Sequence, residues 1–303
     1  MQQEINDIYT KMNETISSST SKNYRSSIRS VLKNLEADDL SFLTKEAETV
    51  LTYISEFKLK NQNSKLSAIM KYTSYLDNNE KALTMYRDRF NQLKKEIRRL
   101  DNLEPTETVS EAPEWVDVIK AYNKTKRKIN WNTSLYSELL EFSVVSCFIL
   151  NPPRRSFDYA LMRIVDDNKN NFYDNKKGLF KFRKYKTFKT YGVQEIDLDK
   201  KLYKILQELH KIRYKMDDEH VFLFKNVRNN NPLNENDISR ILVDFGKKYN
   251  LNTNIRSLRH SFSTMLLKNA PRKSKLKSIA KAMGTSQDMV MTIYRDENNR
   301  LKN

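Results

Sequence analysis

Apolar residues recur at helical spacing along most of this chain. After Ser17-Ser18-Ser19-Thr20, one amphipathic stretch carries Tyr24, Ile28, Val31, Leu32 and Leu35. Thr44 is placed to cap a second helix with Val50, Leu51, Tyr53 and Ile54. A third runs through Leu66, Ile69, Met70, Tyr72 and Tyr75. A fourth, from Lys81 to Leu100, sets Leu83, Tyr86, Phe90, Leu93 and Ile97 against Arg87, Arg89, Lys94, Lys95, Arg98 and Arg99. Residues 1–100 are thus expected to form an all-helical unit of four helices. Residues 101–118 break the pattern with six acidic side chains, two prolines and no Lys or Arg, which is the composition of a linker.

Beyond the linker, helices are expected around Trp115 to Tyr122 and Leu135 to Leu150. Pro152-Pro153 stops the second, because proline lacks a donor and its predecessor avoids the helical region. Asp166-Asp167-Asn168 makes a turn. Leu179 to Tyr185 and Val193 to Leu198 alternate with period two, with Lys186 to Gly192 as the basic tip of a hairpin. The helical period then returns in four groups: Leu202 to Leu209, Ile238 to Phe245, Leu258 to Leu266, and Leu276 to Met283. The expected fold is mainly α. An amino-terminal helical domain spans 1–100, an acidic linker 101–118, and a mostly helical domain with a small antiparallel sheet 119–303.

Composition agrees with long helices, since the 303 residues include only 4 glycines and 6 prolines. The net charge of +17 points to a polyanionic partner, nucleic acid or an anionic membrane. That charge is uneven. Residues 1–100 hold 17 basic against 13 acidic side chains, and residues 119–303 hold 38 against 19. Two basic lobes joined by an acidic segment could clamp a polyanion. No apolar run reaches the length of a membrane span, and Met1-Gln2-Gln3-Glu4 does not begin a secretory signal. The single cysteine, Cys147, reads as a buried small hydrophobe and permits no internal disulfide.

The candidate chemistry follows from what is present and what is missing. The four glycines form neither a phosphate-binding loop nor a dinucleotide fingerprint, and the three histidines are not at metal-ligand spacing. No cofactor and no metal are therefore expected. Catalysis on a phosphate would have to come from Arg, Lys and a side-chain nucleophile. Arg155 follows the Pro-Pro break, with Asp158 three residues on to orient it or a neighbouring base; the ordinary reading of that spacing is a surface salt bridge. Lys186 sits at the hairpin tip, where it could equally be one more exposed lysine. Arg256 and Arg259 begin a helix at i, i+3, an arrangement that opposes the helix dipole and suits an anion site. Near the end of the chain, Gly284 is expected to close one helix and Ser286 to cap the next, which carries Tyr294.

Taken in order, these residues resemble the tyrosine recombinase family, the phage-integrase-type DNA strand exchange enzymes. The resemblance rests on Arg155-Ser-Phe-Asp158, on Lys186 in the hairpin, on Arg256-Ser-Leu-Arg259-His260, and on Tyr294 nine residues after Thr285. The wording of these boxes is most similar to versions in large DNA viruses, their satellites and eukaryotic mobile elements. The resemblance implies that Tyr294 is the nucleophile forming a 3′-phosphotyrosyl link. It implies that Arg155 and Arg259 hold the phosphate, that Lys186 is the general acid, and that Arg256 and His260 assist. Thr285 stands where the family usually has His or Trp. The implied partner is double-stranded DNA, bound by a homo-oligomer: a dimer on a site and a tetramer in synapsis. The implied place of action is intracellular. Two other readings share these features, a type IB topoisomerase and a DNA-binding module derived from a recombinase.

Overall fold

The computed structural model describes residues 1–103, 112–216, 221–226, 231–269 and 273–291. The chain divides into two compact units, Met1–Pro105 and Thr106–Asn303. Each has its own apolar core.

The first unit is wholly helical among its described residues. It comprises α1 (Gln2–Thr15), α2 (Ser18–Asn34), the short α3 (Phe42–Lys45), α4 (Ala47–Ser55), α5 (Leu59–Thr73) and α6 (Glu80–Leu103). The Ser17 hydroxyl accepts from the Thr20 amide at 3.3 Å and caps α2, satisfying a donor that the first helical turn leaves open. Ile28, Val31, Leu32, Leu66, Ile69, Tyr72 and Leu93 close the core. The buried Tyr86 hydroxyl donates to the Leu43 carbonyl at 2.7 Å.

Two expectations fail here. Helix α1 is not among the expected helices, although Ile5, Ile8 and Met12 are buried along one of its faces. Three apolar positions among polar neighbours make a helix only once α2 and α5 offer a surface to cover them. Thr44 does not cap a helix. It lies inside α3 and its hydroxyl donates to the Ser41 carbonyl at 2.8 Å, while α4 starts after Glu46. Both ends of the acidic stretch are helical as well, since α6 runs to Leu103 and the next helix begins at Trp115. Asp117 in that first turn faces the positive end of the helix dipole, so acidity favours a helix start as much as a linker.

The second unit opens with α7 (Trp115–Lys128) and α8 (Tyr136–Ile149). Every residue of α8 from Phe142 to Ile149 is buried, with the Ser143 and Ser146 hydroxyls donating to the Leu139 and Phe142 carbonyls; Val144, Cys147 and Phe148 are fully covered. Burial pushes the Cys147 thiol far above its ordinary range, so it stays a neutral core residue. Then come the single turn α9 (Ser156–Tyr159), β1 (Phe172–Asp174), β2 (Leu179–Phe182), the single turn α10 (Phe188–Tyr191) and β3 (Gln194–Asp197). The strands form one antiparallel sheet in the order β1-β2-β3, with Tyr173 opposite Phe180 and Phe182 opposite Gln194. Helices α11 (Lys200–Met216), α12 (Glu235–Lys247), α13 (Ile255–Lys268) and α14 (Lys273–Ala282) complete the described unit.

Strand β1 is too short, at three residues, for an alternating pattern to reveal it. The hairpin is real, but β2 ends at Phe182 instead of Tyr185. Asn171 explains the early end. Its carboxamide oxygen accepts from the Arg183 and Lys184 amides at 2.8 and 2.7 Å, and its nitrogen donates to the Asp158 and Lys184 carbonyls. A side chain thus replaces the neighbouring strand as the partner of this backbone, and the chain leaves the ladder before the tip. Asn171→Ala strands those groups and is expected to cost about 1–3 kcal/mol in denaturant unfolding of the whole chain. A change near zero would mean that water serves these groups equally well.

Candidate active site

The site is built on the carboxyl end of α14. Gly284 has a φ of +62°, and the Thr285 amide donates back to the Ala280 carbonyl at 3.0 Å while the Gly284 amide donates to Lys281 at 2.9 Å. This pair of bonds ends the helix at the glycine where the sequence places its close. Ser286 then accepts from the Met289 amide at 3.1 Å and caps the helical segment that starts at residue 287. Thr285 itself is buried.

The carbonyls at the end of a helix carry its negative pole and lack partners of their own. Arginines take them here. Arg154 Nη1 donates to the Ala282 carbonyl at 3.0 Å, and Arg259 Nη1 to Met283 at 2.9 Å and to Pro153 at 2.7 Å. Arg155 Nη1 reaches the Gly284 carbonyl at 2.8 Å, and the Thr187 hydroxyl donates to that same oxygen at 3.1 Å. Three elements therefore meet on one turn: the segment before α9 with Arg154 and Arg155, the hairpin tip with Thr187, and α13 with Arg259.

Arg155 and Arg259 are both half-buried and hold further N–H donors that no described residue accepts. Burial, then the nearby positive charge of Arg155, push the Arg259 pKa down to about 10. It remains charged at neutral pH. Two cations held beside each other in a partly dry place are poised for an anion. Lys186 precedes Thr187 and is exposed, so the bond from Thr187 to Gly284 fixes the backbone next to it. The tip is closed by the Tyr185 hydroxyl, which donates to the Gly192 carbonyl at 2.7 Å. Asn254 caps α13 by accepting from the Arg256 and Ser257 amides, which places Arg256, exposed, one turn before Arg259. His260 is buried on that helix beside Arg259. Tyr294 lies outside the described residues.

One expectation is corrected. Asp158 does not orient Arg155; its Oδ2 accepts from Arg154 Nε at 2.7 Å, and both side chains are buried. The turn of α9 brings positions 154 and 158 together and leaves Arg155 facing Gly284. Burial raises the Asp158 pKa against the pull of Arg154. Arg154 is the residue that sequence reasoning passes over. Its only trace in the sequence is an i, i+4 spacing to Asp158. Its partners Gln194 and Ala282 lie 40 and 128 positions away. Among the described residues no three His, Cys, Asp or Glu side chains gather into a metal-holding group.

Residues 170–300 match the family described as the phage integrase family. The second unit carries a phage integrase domain. Its activity is that of a tyrosine recombinase. The matched segment takes in Lys186, Arg256, Arg259, His260, Thr285 and Tyr294 and begins after Arg155. Among solved structures, the recombinase fold is shared with the XerH site-specific recombinase in its pre-cleavage complex with difH substrate. That match has a TM-score of 0.50 and 13% identity, and covers 82% of this chain and 66% of that chain. XerA recombinase matches at 16% identity with a TM-score of 0.43, covering 97% of this chain and 93% of that one. The integrase from mycobacterium phage Brujita matches at 11% identity with a TM-score of 0.38, covering 96% and 91%. No curated protein sequence matches the chain.

Asp158→Ala leaves the buried Arg154 charge without its carboxylate and is expected to destabilise the chain by about 3–5 kcal/mol, read from thermal or denaturant melts. Gly284→Ala is expected to cost about 1–2 kcal/mol through the left-handed backbone alone. It also forces a shift, because the new Cβ would stand 2.6 Å from Arg154 Nη2. An unchanged melting temperature in Gly284→Ala would contradict this tight approach.

Proposed function

We propose that the chain cuts and rejoins double-stranded DNA through Tyr294, with Arg155, Arg259 and Lys186 as the principal groups at the scissile phosphate. The observation that carries this reading is the gathering of Arg155, Arg259 and the Lys186-bearing tip on the single turn at Gly284 that leads to Tyr294. The Tyr294 phenolic oxygen attacks phosphorus and the bond to the 5′ oxygen breaks, leaving a 3′-phosphotyrosyl link and a free 5′-hydroxyl. The energy of the broken ester is kept in the new one, so no nucleotide is consumed. Arg155 and Arg259 fork onto the non-bridging oxygens, where charge builds as the bonds exchange. Lys186 gives its proton to the departing 5′ oxygen. Arg256 stands where the family carries a base; an arginine stays protonated, so it supplies charge and the phenolic proton passes to solvent. His260 supports Arg259 from the same helix. Thr285 offers a short hydroxyl where relatives present a longer ring, so more of the charge falls to the two arginines. Attack by a partner strand's 5′-hydroxyl reverses the step and completes the exchange.

The helical first unit serves as a core-binding domain that closes the clamp on DNA, and the acidic stretch between the units is repelled by phosphates. Strand exchange needs protomers on paired half-sites, so the working form is a dimer on each site and a tetramer in synapsis. The source is a mobile element or a large DNA virus or its satellite, and the enzyme works intracellularly wherever its target DNA lies. Among the described residues no helix is long and apolar enough to cross a membrane.

The test is covalent trapping on a nicked duplex whose cut fragment diffuses away. The duplex is built on the sequence that the wild-type chain enriches from a randomised pool. Tyr294→Phe is expected to bind this duplex normally and form no adduct. Arg155→Ala and Arg259→Ala are each expected to raise the cleavage barrier by about 2–4 kcal/mol, as removal of an oxyanion donor does. An adduct from Tyr294→Phe would move the nucleophile elsewhere. Relaxation of supercoiled plasmid by wild type without strand exchange would favour a topoisomerase.

A further inference from the structure

We propose that Arg154 is a positioning residue, acting through Gln194 to hold the Lys186 hairpin against the turn that leads to Tyr294. The general acid and the nucleophile-bearing segment would then be placed by one buried side chain. This rests on the assignment of Lys186 and Tyr294 made above.

Arg154 cannot itself touch DNA, because it is only 1% exposed. What it does instead is visible in its contacts. Its Nε donates to Asp158, and its Nη1 donates to Gln194 Oε1 at 2.9 Å and to the Ala282 carbonyl at 3.0 Å. Its guanidinium lies over the Phe182 ring at 3.9 Å and the Tyr185 ring at 4.9 Å. Phe182 and Gln194 face each other across the last rung of the hairpin. Arg154 therefore grips that rung on one side and the end of α14 on the other. Lys186 follows Tyr185 directly. The glycine at 284 is part of the same fit, since any Cβ there would press on Arg154 Nη2.

The grip depends on a guanidinium. A guanidinium can address several acceptors in one plane, which a lysine cannot. Arg154 Nη2, Asp158 Oδ1 and Gln194 Nε2 are buried without a hydrogen-bond partner among the described residues. Losing Gln194 Oε1 removes the hydrogen bond from Arg154 to the hairpin, while Nη1 keeps the Ala282 and Lys281 carbonyls on the α14 side. Among the described residues, Thr187 adds one further bond from the tip to the Gly284 carbonyl.

The experiment separates delivery of the acid from general damage. Gln194→Met keeps the side-chain volume and removes the acceptor, and Gln194→Glu keeps an acceptor for Arg154. Each variant, wild type and Lys186→Ala are assayed for adduct formation on the selected nicked duplex, once with an ordinary scissile phosphate and once with sulfur as the 5′-bridging atom. Sulfur leaves without needing a proton, so it restores only defects in the acid. Gln194→Met is expected to bind DNA as wild type does and to form adduct about tenfold or more slowly on ordinary DNA. On the sulfur substrate it should return to nearly the wild-type rate, and Gln194→Glu should be close to wild type on both. Gln194→Met at wild-type rate on ordinary DNA, or equally slow on both substrates, overturns the proposal. Lys186→Ala that sulfur does not restore defeats the acid assignment separately, whatever Gln194 does. Wild type that forms no adduct on either substrate defeats the reading of the site on which this one rests.

Discussion

The carboxyl end of helix α14 must have its carbonyl oxygens satisfied, and the rest of the second unit is arranged to do so with positive charge. A helix end buried without partners is costly, and its dipole attracts cations. Arg154, Arg259, Arg155 and Thr187 answer that need at Ala282, Met283 and Gly284. The consequence is functional. The side chains that cap the helix are drawn to one place, and two of them keep donors to spare among the described residues. Positive charge is gathered by the same bonds that end a helix.

Charge works at two ranges here. Over the whole chain, an excess of 17 positive charges favours approach to a polyanion but says nothing about where it is cut. Within the site, the balance is local. Arg154 is neutralised by Asp158 and enclosed by aromatic rings, so it organises structure. Among the described residues Arg155 and Arg259 stand next to it without such a partner, and burial, then the neighbouring Arg155 charge, lowers the pKa of Arg259. Adjacent residues of one type thus take different surroundings, Arg154 enclosed in the frame and Arg155 half-buried at the Gly284 turn. The distinction comes from which way a single turn of helix, α9, directs each side chain.

Much of this was legible in the sequence, and for definite reasons. Helices in both units carry their apolar residues at a spacing that only a helix can bury, so α2, α5, α12 and α13 follow from periodicity. Gly284 and Ser286 announce the end of one helix and the start of the next, because their chemistry is local. Arg155 and Arg259 were readable as candidate anion-binding side chains, and the folded chain brings both to the turn at Gly284.

Other features emerge only on folding. Helix α1 has too few apolar residues to declare itself and exists because other helices cover Ile5, Ile8 and Met12. The early end of β2 depends on Asn171, which reaches the Arg183 and Lys184 amides from twelve and thirteen residues away. The partner of Asp158 turned on side-chain direction around α9, which spacing along the chain cannot give, and Arg154 rather than Arg155 took it. Residue type and local period are written along the chain, and they suffice to name the side chains able to do the chemistry. Which of those side chains meet is set by hydrogen bonds spanning 97 to 129 positions, and such bonds form only when the chain is folded.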